Sequence, residues 1–195
     1  MMKKLFALVL AMMMLCASAA AEMIEARYYL PEVKAQVTLP ADTYVLSSYA
    51  DESAFAALDL DKASTMESLL AGDTYMAVLE QGGGWELDVV MTANSNASLA
   101  NWSAEELEAV RVVADESFAG IGCTVLKSDV YPLNGSNYIR TWYTTGEGAD
   151  LTYVLQYYTL ENNMGIVWRM ISFTDSFPAE LEAELDWIMS TVTYD

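Results

Sequence analysis

Residues 22–195 predict an α+β fold: a largely antiparallel β-sheet with helices on both faces, a three-layer α/β/α sandwich. Three observations lead to it. Four strand-like runs follow one another between about residues 123 and 174, joined by connections short enough for antiparallel neighbours. One amphipathic helix precedes this meander and another closes the chain. The meander strands are apolar on both faces, so each face needs cover.

Taken in order, two short strands are expected at 25–30 and 33–39, broken at Pro31 and closed by Pro40. Tyr44 to Ser48 makes a third, 51–63 has no clear period, and a short helix near 64–71 is stopped by Gly72. Runs 74–80 and 85–92 form a hairpin around Gln81-Gly82-Gly83-Gly84. No Gly-Lys-Ser/Thr follows these glycines, so they are a turn that tolerates positive φ and not a phosphate loop.

Ser103 stands three residues before Glu106, the spacing of a capping box. Leu107, Val110, Ala114 and Phe118 then recur at helical spacing until Gly120 and Gly122 end the helix. Strands follow at about 123–130, 137–145, 151–160 and 164–174, connected by Pro132-Leu-Asn-Gly135, Gly146-Glu-Gly148 and Glu161-Asn-Asn163. The last helix starts near Pro178, where proline suits the first turn. Its buried stripe is Leu181, Leu185, Ile188 and Val192. Glu180, Glu182, Glu184 and Asp186 enrich the half where the helix dipole favours acids. In the third meander strand Leu151, Tyr153, Leu155 and Tyr157 share one face, and Val154, Tyr158 and Leu160 the other. In the fourth, Ile166, Trp168 and Met170 oppose Val167, Ile171 and Phe173. A sheet covered on one side only would leave half of these residues in water.

The first 21 residues have a different character. Lys3 and Lys4 precede an apolar run from Leu5 to Leu15, and Ala17, Ser18, Ala19, Ala20 and Ala21 follow. A basic start, an apolar centre and a small-residue end are the parts of a secretory signal peptide, with cleavage expected after Ala19 or Ala21. Two other readings stay open. Leu5 to Ala21 is 17 residues, just under the roughly 18 of a spanning helix. Cys16 would be the lipidation site of a lipoprotein, but Leu15 stands where a small residue is wanted. The organisation expected is therefore a signal peptide, 1–21, and a single domain, 22–195, exported to the cell envelope or beyond, with no membrane span once the leader is removed.

A cut after Ala21 leaves 174 residues, enough for one domain to bury about 70% of its unfolded surface. It removes Lys3 and Lys4, leaves seven basic against 28 acidic residues, and takes the formal charge from −19 to −21. Such a field repels nucleic acid and anionic lipid and keeps the chain dispersed, so a monomer is expected. One cysteine, Cys123, remains, so no intramolecular disulfide forms and the core alone must hold the fold. Export without disulfides leans bacterial. The sequons at Asn96, Asn101 and Asn134 are read as polar loops.

The element order resembles the Mog1/PsbP-like fold group, which includes DcrB-type and related exported bacterial domains of unknown function. The resemblance rests on VTLPADTYVL (37–46) as opening strand and proline-bounded turn, on WSAEELEAVRVVADES (102–117) before a meander, and on NNMGIVWRMISF (162–173) with LDWIMSTV (185–192) at the close. It spans nearly the whole of residues 22–195. Members of the group bind a small GTPase, assist a photosynthetic complex or support phage uptake at the envelope. The resemblance thus implies binding or assembly, and it carries no functional residue over to this chain.

Chemistry is constrained mainly by what is missing. The chain has no histidine, which removes Ser-His-Asp and Cys-His nucleophiles and histidine-containing zinc sites. None of Lys34, Lys62 and Lys127 has a serine three residues before it. Cys123, without a histidine to activate it, reads as a small apolar side chain. Asp59-Leu-Asp61 starts like a calcium loop, but Ser64 and Leu70 occupy the positions that need glycine and a bidentate acid. Paired carboxylates survive, since 28 acids admit a glycosidase-type pair that no motif singles out. The adjacent aromatics Tyr28-Tyr29, Trp142-Tyr143 and Tyr157-Tyr158 point to both faces of their strands and are read as core. Trp85 and Trp102, at element starts, are left open. No catalytic, cofactor-binding or metal-ligating residue is assigned and no cofactor is expected. The leading expectation is a non-catalytic domain that binds an unknown protein or envelope component, and the alternative is a histidine-free hydrolase acting on glycans.

Overall fold

Alternating apolar residues along ten strands build two antiparallel sheets in the computed structural model, which describes residues 26–195. The leader assigned to residues 1–21 lies outside the described residues. The strands are β1 (Ala26–Leu30), β2 (Ala35–Leu39), β3 (Thr43–Ser47), β4 (Thr74–Glu80), β5 (Trp85–Ala93), β6 (Thr124–Leu133), β7 (Ser136–Thr145), β8 (Thr152–Glu161), β9 (Met164–Ser172) and β10 (Thr193–Tyr194). Four α-helices intervene: α1 (Glu52–Ala56), α2 (Lys62–Leu70), α3 (Ala104–Gly120) and α4 (Ala179–Thr191). A three-stranded sheet has the order β1-β2-β10, and a seven-stranded sheet the order β3-β4-β5-β9-β8-β7-β6. The fold is α+β.

The meander forms from local chemistry. Asn162 and Asn163 both adopt positive φ (52° and 62°), as do Asn134 and Gly135 (52° and 84°). These are the backbone conformations of two-residue turns whose twist matches the flanking strands. Strand β6 runs on through Pro132 to Leu133, where the sequence reading ended it at 130. Proline is tolerated there because β6 is an edge strand whose outer side has no ladder to donate to.

The two faces of the large sheet are covered differently. On the first, Leu181, Leu185, Ile188 and Met189 of α4 share one core with Val33 and strand residues Leu30, Ala35, Val37 and Leu39 of the small sheet. Beneath them lie Met76, Val78, Leu87, Leu155, Trp168 and Met170. On the second, Phe55 of α1, Leu58 of the following turn and Met66 of α2 pack on Leu46, Ala77 and Leu79. Farther along, Leu99 of the loop before α3 and Leu107 of α3 meet Leu160, with Val130 and Tyr158 beside them. Helices therefore lie on both faces, but the first shares its cover between α4 and a three-stranded sheet. A two-residue closing strand, β10, is too short to leave a period in the sequence. The five-residue α1, inside the stretch without a period, escaped for the same reason.

Helix ends follow their caps. Ser103 accepts from the Glu106 N–H at 3.3 Å and Glu106 returns to the Ser103 N–H at 2.8 Å, completing the expected box. Asp61 caps α2 by accepting from the Ser64 N–H at 2.8 Å, which accounts for the second acid of the calcium-like pattern. Among the described residues no helix is long and apolar enough to cross a membrane.

Candidate functional site

Five strands place one residue each in a polar row across the second face. Register aligns Ser128 of β6 with Thr141 of β7, Thr141 with Gln156 of β8, Gln156 with Arg169 of β9, and Arg169 with Asp88 of β5. Two residues before Asp88, and so on the same face, stands Glu86. Apolar rows flank it: Val125, Tyr143, Val154 and Ile171 on one side, and Val130, Ile139, Tyr158, Val167 and Val90 on the other.

The row is deeply set. Thr141 is 0% exposed, Glu86 4% and Asp88 5%, while the Arg169 side chain, at 34%, reaches solvent. Arg169 Nη2 donates to Asp88 Oδ2 at 2.6 Å. Burial, then the Asp88 charge and a hydrogen bond to Asp88, push the Glu86 carboxyl up to about 9, so it is protonated at neutral pH. Burial opposes the charge on Arg169, but the neighbouring Asp88 outweighs it and the guanidinium is held above its ordinary value. Tyr143, pushed up to about 12 chiefly by burial, stacks on Phe118 of α3 with ring centroids 4.5 Å apart. At the far end α3 is tied down: Arg111 Nη1 donates to Ser128 Oγ (2.6 Å) and Asp115 Oδ2 (2.7 Å), and Ser128 Oγ donates to Asp115 Oδ2 at 2.6 Å.

Polar satisfaction is incomplete here. Glu86 Oε2, Arg169 Nε, Thr141 Oγ1 and Asp115 Oδ1 are buried without a hydrogen-bond partner. Among the described residues only one further side-chain atom shares that condition, Trp85 Nε1, on the other face. An orphaned buried polar atom costs about 1–3 kcal/mol, so four on one face, two in the row and two beside it, mark the place where this fold departs most from a structural optimum.

The first face carries a second polar cluster, around Arg140. Its Nε and Nη2 donate to the two oxygens of Asp129 at 3.0 and 2.9 Å, and its Nη1 to Tyr157 Oη (3.3 Å) and Asp186 Oδ1 of α4 (3.4 Å). The Tyr131 and Trp142 rings flank the guanidinium at 4.0 and 4.6 Å, and Lys127 Nζ stands 4.0 Å from the Trp142 centroid. Tyr157 also donates to Asp186, so α4 is locked to the sheet through one carboxylate.

The residues that the sequence singled out fall as follows. Cys123 is half-buried and free. Trp142, Tyr143 and Tyr157 are buried, Tyr158 half-buried, and Tyr29 exposed. Trp85 is core, and Trp102 packs half-buried on Leu99 and Leu107. Among the described residues no cluster of three or more cysteine or acidic side chains is placed to hold a metal ion. Sequence reasoning missed the row itself. Its signal was a single charge, Arg169, in a strand apolar on both faces, opposite two acids at alternate positions of Trp-Glu-Leu-Asp.

A sheet of this order, with this placement of helices, is of the PsbP/Mog1-like fold group. The chain resembles the solution structure of cyanobacterial PsbP (CyanoP) from Synechocystis, with a TM-score of 0.55 and 10% identity over 93% of this chain and 99% of that one. It resembles the crystal structure of LpqN, involved in cell envelope biogenesis of Mycobacterium tuberculosis, with a TM-score of 0.52 and 10% identity over 89% of this chain and 91% of that one. A crystal structure from Bacteroides thetaiotaomicron matches at a TM-score of 0.52 and 6% identity over 88% of this chain, which spans about half (48%) of the length of that one. At these identities the likeness is one of fold. No protein-family model and no curated protein matches the sequence.

Proposed function

We propose that the chain is an exported, non-catalytic domain, led by residues 1–21 as a signal peptide, with a binding or assembly role at the cell envelope or outside the cell. One observation carries the choice of binding over hydrolysis: the carboxylates that the fold brings together are buried or already engaged by an arginine. A glycosidase holds its acids about 5–10 Å apart with the scissile bond between them. Glu86 and Asp88 stand at alternate positions of one strand, both buried, with Asp88 raising the Glu86 carboxyl and itself held by Arg169 at 2.6 Å, so neither is open to a sugar bond. Asp129 and Asp186, which also meet, are both engaged by Arg140, and further acids stand exposed on helix surfaces, Glu105, Glu106 and Glu108 of α3 among them. The fold likeness supports the reading, one neighbour being described as involved in envelope biogenesis.

The test is localisation combined with turnover. The full chain, tagged at its C-terminus and expressed in a bacterium, should be shortened by about two kilodaltons and recovered outside the cytoplasm. The purified protein should release no reducing ends from cell-wall or storage glycans. Retention of an unprocessed chain in the cytoplasm overturns export. Glycan turnover that disappears in Glu86→Gln overturns the non-catalytic assignment.

A further inference from the structure

The two free edges of the large sheet are built differently. Edge strand β6 carries the devices that discourage another strand from adding: a bulge between Val125 and Lys127, a lysine beside it, and Pro132 without an N–H. Edge strand β3, Thr-Tyr-Val-Leu-Ser, has no lysine, no proline and no register shift against β4. Asp42 O accepts from the Gln81 N–H at 2.8 Å, which fixes the phase of that ladder. By antiparallel alternation the N–H and C=O groups of Thr43 and Val45 point away from β4.

Those groups open on a cleft of about 350 Å³ lined by Tyr28, Tyr44 and Tyr49 as well as by β3 itself. Lys62 Nζ donates to the Ala50 carbonyl at its edge (2.6 Å), but among the described residues no ion pair reaches the neighbouring acid, Asp51. Asp51 lines the cleft, makes no capping hydrogen bond to α1, and has no Lys or Arg opposite it among the lining residues. Glu32 stands at the rim, accepting from Tyr49 Oη at 3.0 Å. Tyr28 registers the same field: burial, then the Asp51 charge, raise its phenol above the ordinary value. Unpaired strand groups, aromatic walls and an acid without an ion pair together define a partner: extended, able to pair by main chain, and cationic.

We propose that the outer edge of β3 is a docking site for an extended segment of a basic protein, which adds to the sheet as a further strand and sets a Lys or Arg against Asp51. This rests on the binding reading above and names its partner chemistry. Main-chain pairing gives affinity with little sequence demand, and the tyrosines and Asp51 give preference for aromatic or aliphatic residues alternating with cations. The acidic charge of the whole chain, −19, steers such a partner inward.

The probe is a set of capped peptides of about nine residues in which Lys alternates with Val or Tyr, titrated into the isotope-labelled protein as isolated from its expression host. Amide shifts should centre on 43–47, and hydrogen exchange at Thr43 and Val45 should slow. Asp51→Asn and Ser53→Arg, both at exposed positions, should each weaken binding about tenfold or more. Peptides N-methylated on alternate amides should not bind. The proposal is overturned if methylated and unmethylated peptides bind alike, if the shifts fall instead on the acidic faces of α3 and α4, or if no peptide binds at about 1 mM. Any of these in a chain still exported and without glycan turnover removes the β3 edge alone and leaves the envelope-binding reading standing.

Discussion

Arg140 and Arg169 stand on opposite faces of one sheet and are held in opposite ways. Arg140 has a bidentate carboxylate, a second carboxylate from α4, a phenol and two flanking rings. Arg169 has one bond to Asp88, an orphaned Nε and, as its near neighbour, a second acid that remains protonated. The first arrangement is a finished joint between α4 and the sheet. The second keeps mixed donors and acceptors in a low-dielectric strip where each is expensive. Completeness of hydrogen bonding, more than burial, separates structural polar groups from those the fold tolerates at a cost.

The difference has a consequence that runs against intuition. The less well-bonded arginine should be the costlier to remove, because its partner has nowhere to go. Arg169→Met strands the Asp88 carboxylate, 5% exposed, beside Glu86, and a loss of about 3–5 kcal/mol is expected from chemical denaturation at pH 7. The double variant Asp88→Asn/Arg169→Met, which removes both charges, should recover most of it. Equal losses in the single and double variants would show that the cost is packing and not charge.

Glu86 sharpens the contrast through pH. Its carboxyl rises from 4.5 to about 9 on folding, so the folded state holds the extra proton between those values. Stability contributed by this group is therefore full below about 4.5 and falls as pH rises towards 9. At about 1.4 kcal/mol per unit, a decline of roughly 2–4 kcal/mol between pH 5 and 8 is expected, over and above that of Glu86→Gln. Glutamine keeps a donor for Asp88 without titrating. Parallel stability–pH curves for the two proteins would break the assignment of Glu86 as the buried acid.

Arg140→Met comes next, at about 2–3 kcal/mol. It severs more bonds than Arg169→Met, but Asp129 and Asp186 are each about one-third exposed, so water takes up their charge. A loss larger than that of Arg169→Met would reverse the comparison.

How far the sequence revealed these regions depends on the range of the pattern involved. The α+β class, the capping box at Ser103, the glycine turn and the facing of 151–160 and 164–174 were legible because each is a local period or a short spacing. The small sheet was not, because β10 pairs with β2 across more than 150 residues through two residue pairs. The polar row was hard to see for a related reason. Arg169 alone stands out in its strand; Ser128, Thr141, Gln156 and Asp88 do not, and only register makes them a row. Strand Thr152–Glu161 shows the limit well. Its Gln156 sits in an otherwise apolar or aromatic stretch, and no period says whether it faces water or an arginine.

Thr141 offers the smallest effect and the cleanest sign. Its hydroxyl lies at 0% exposure without a partner, between Ser128 and Gln156. Valine matches threonine in shape and removes only the orphaned oxygen, so Thr141→Val should stabilise the protein by about 1 kcal/mol in denaturant. Ser128→Ala, one strand away, removes a hydroxyl that bonds both Arg111 and Asp115 and should destabilise by a similar amount. Opposite signs at neighbouring positions of one row would establish that bonding, and not depth, sets the cost of polarity on this face. A destabilising Thr141→Val would mean that the hydroxyl is satisfied in solution, and the row would then join the Arg140 cluster as a finished structural joint.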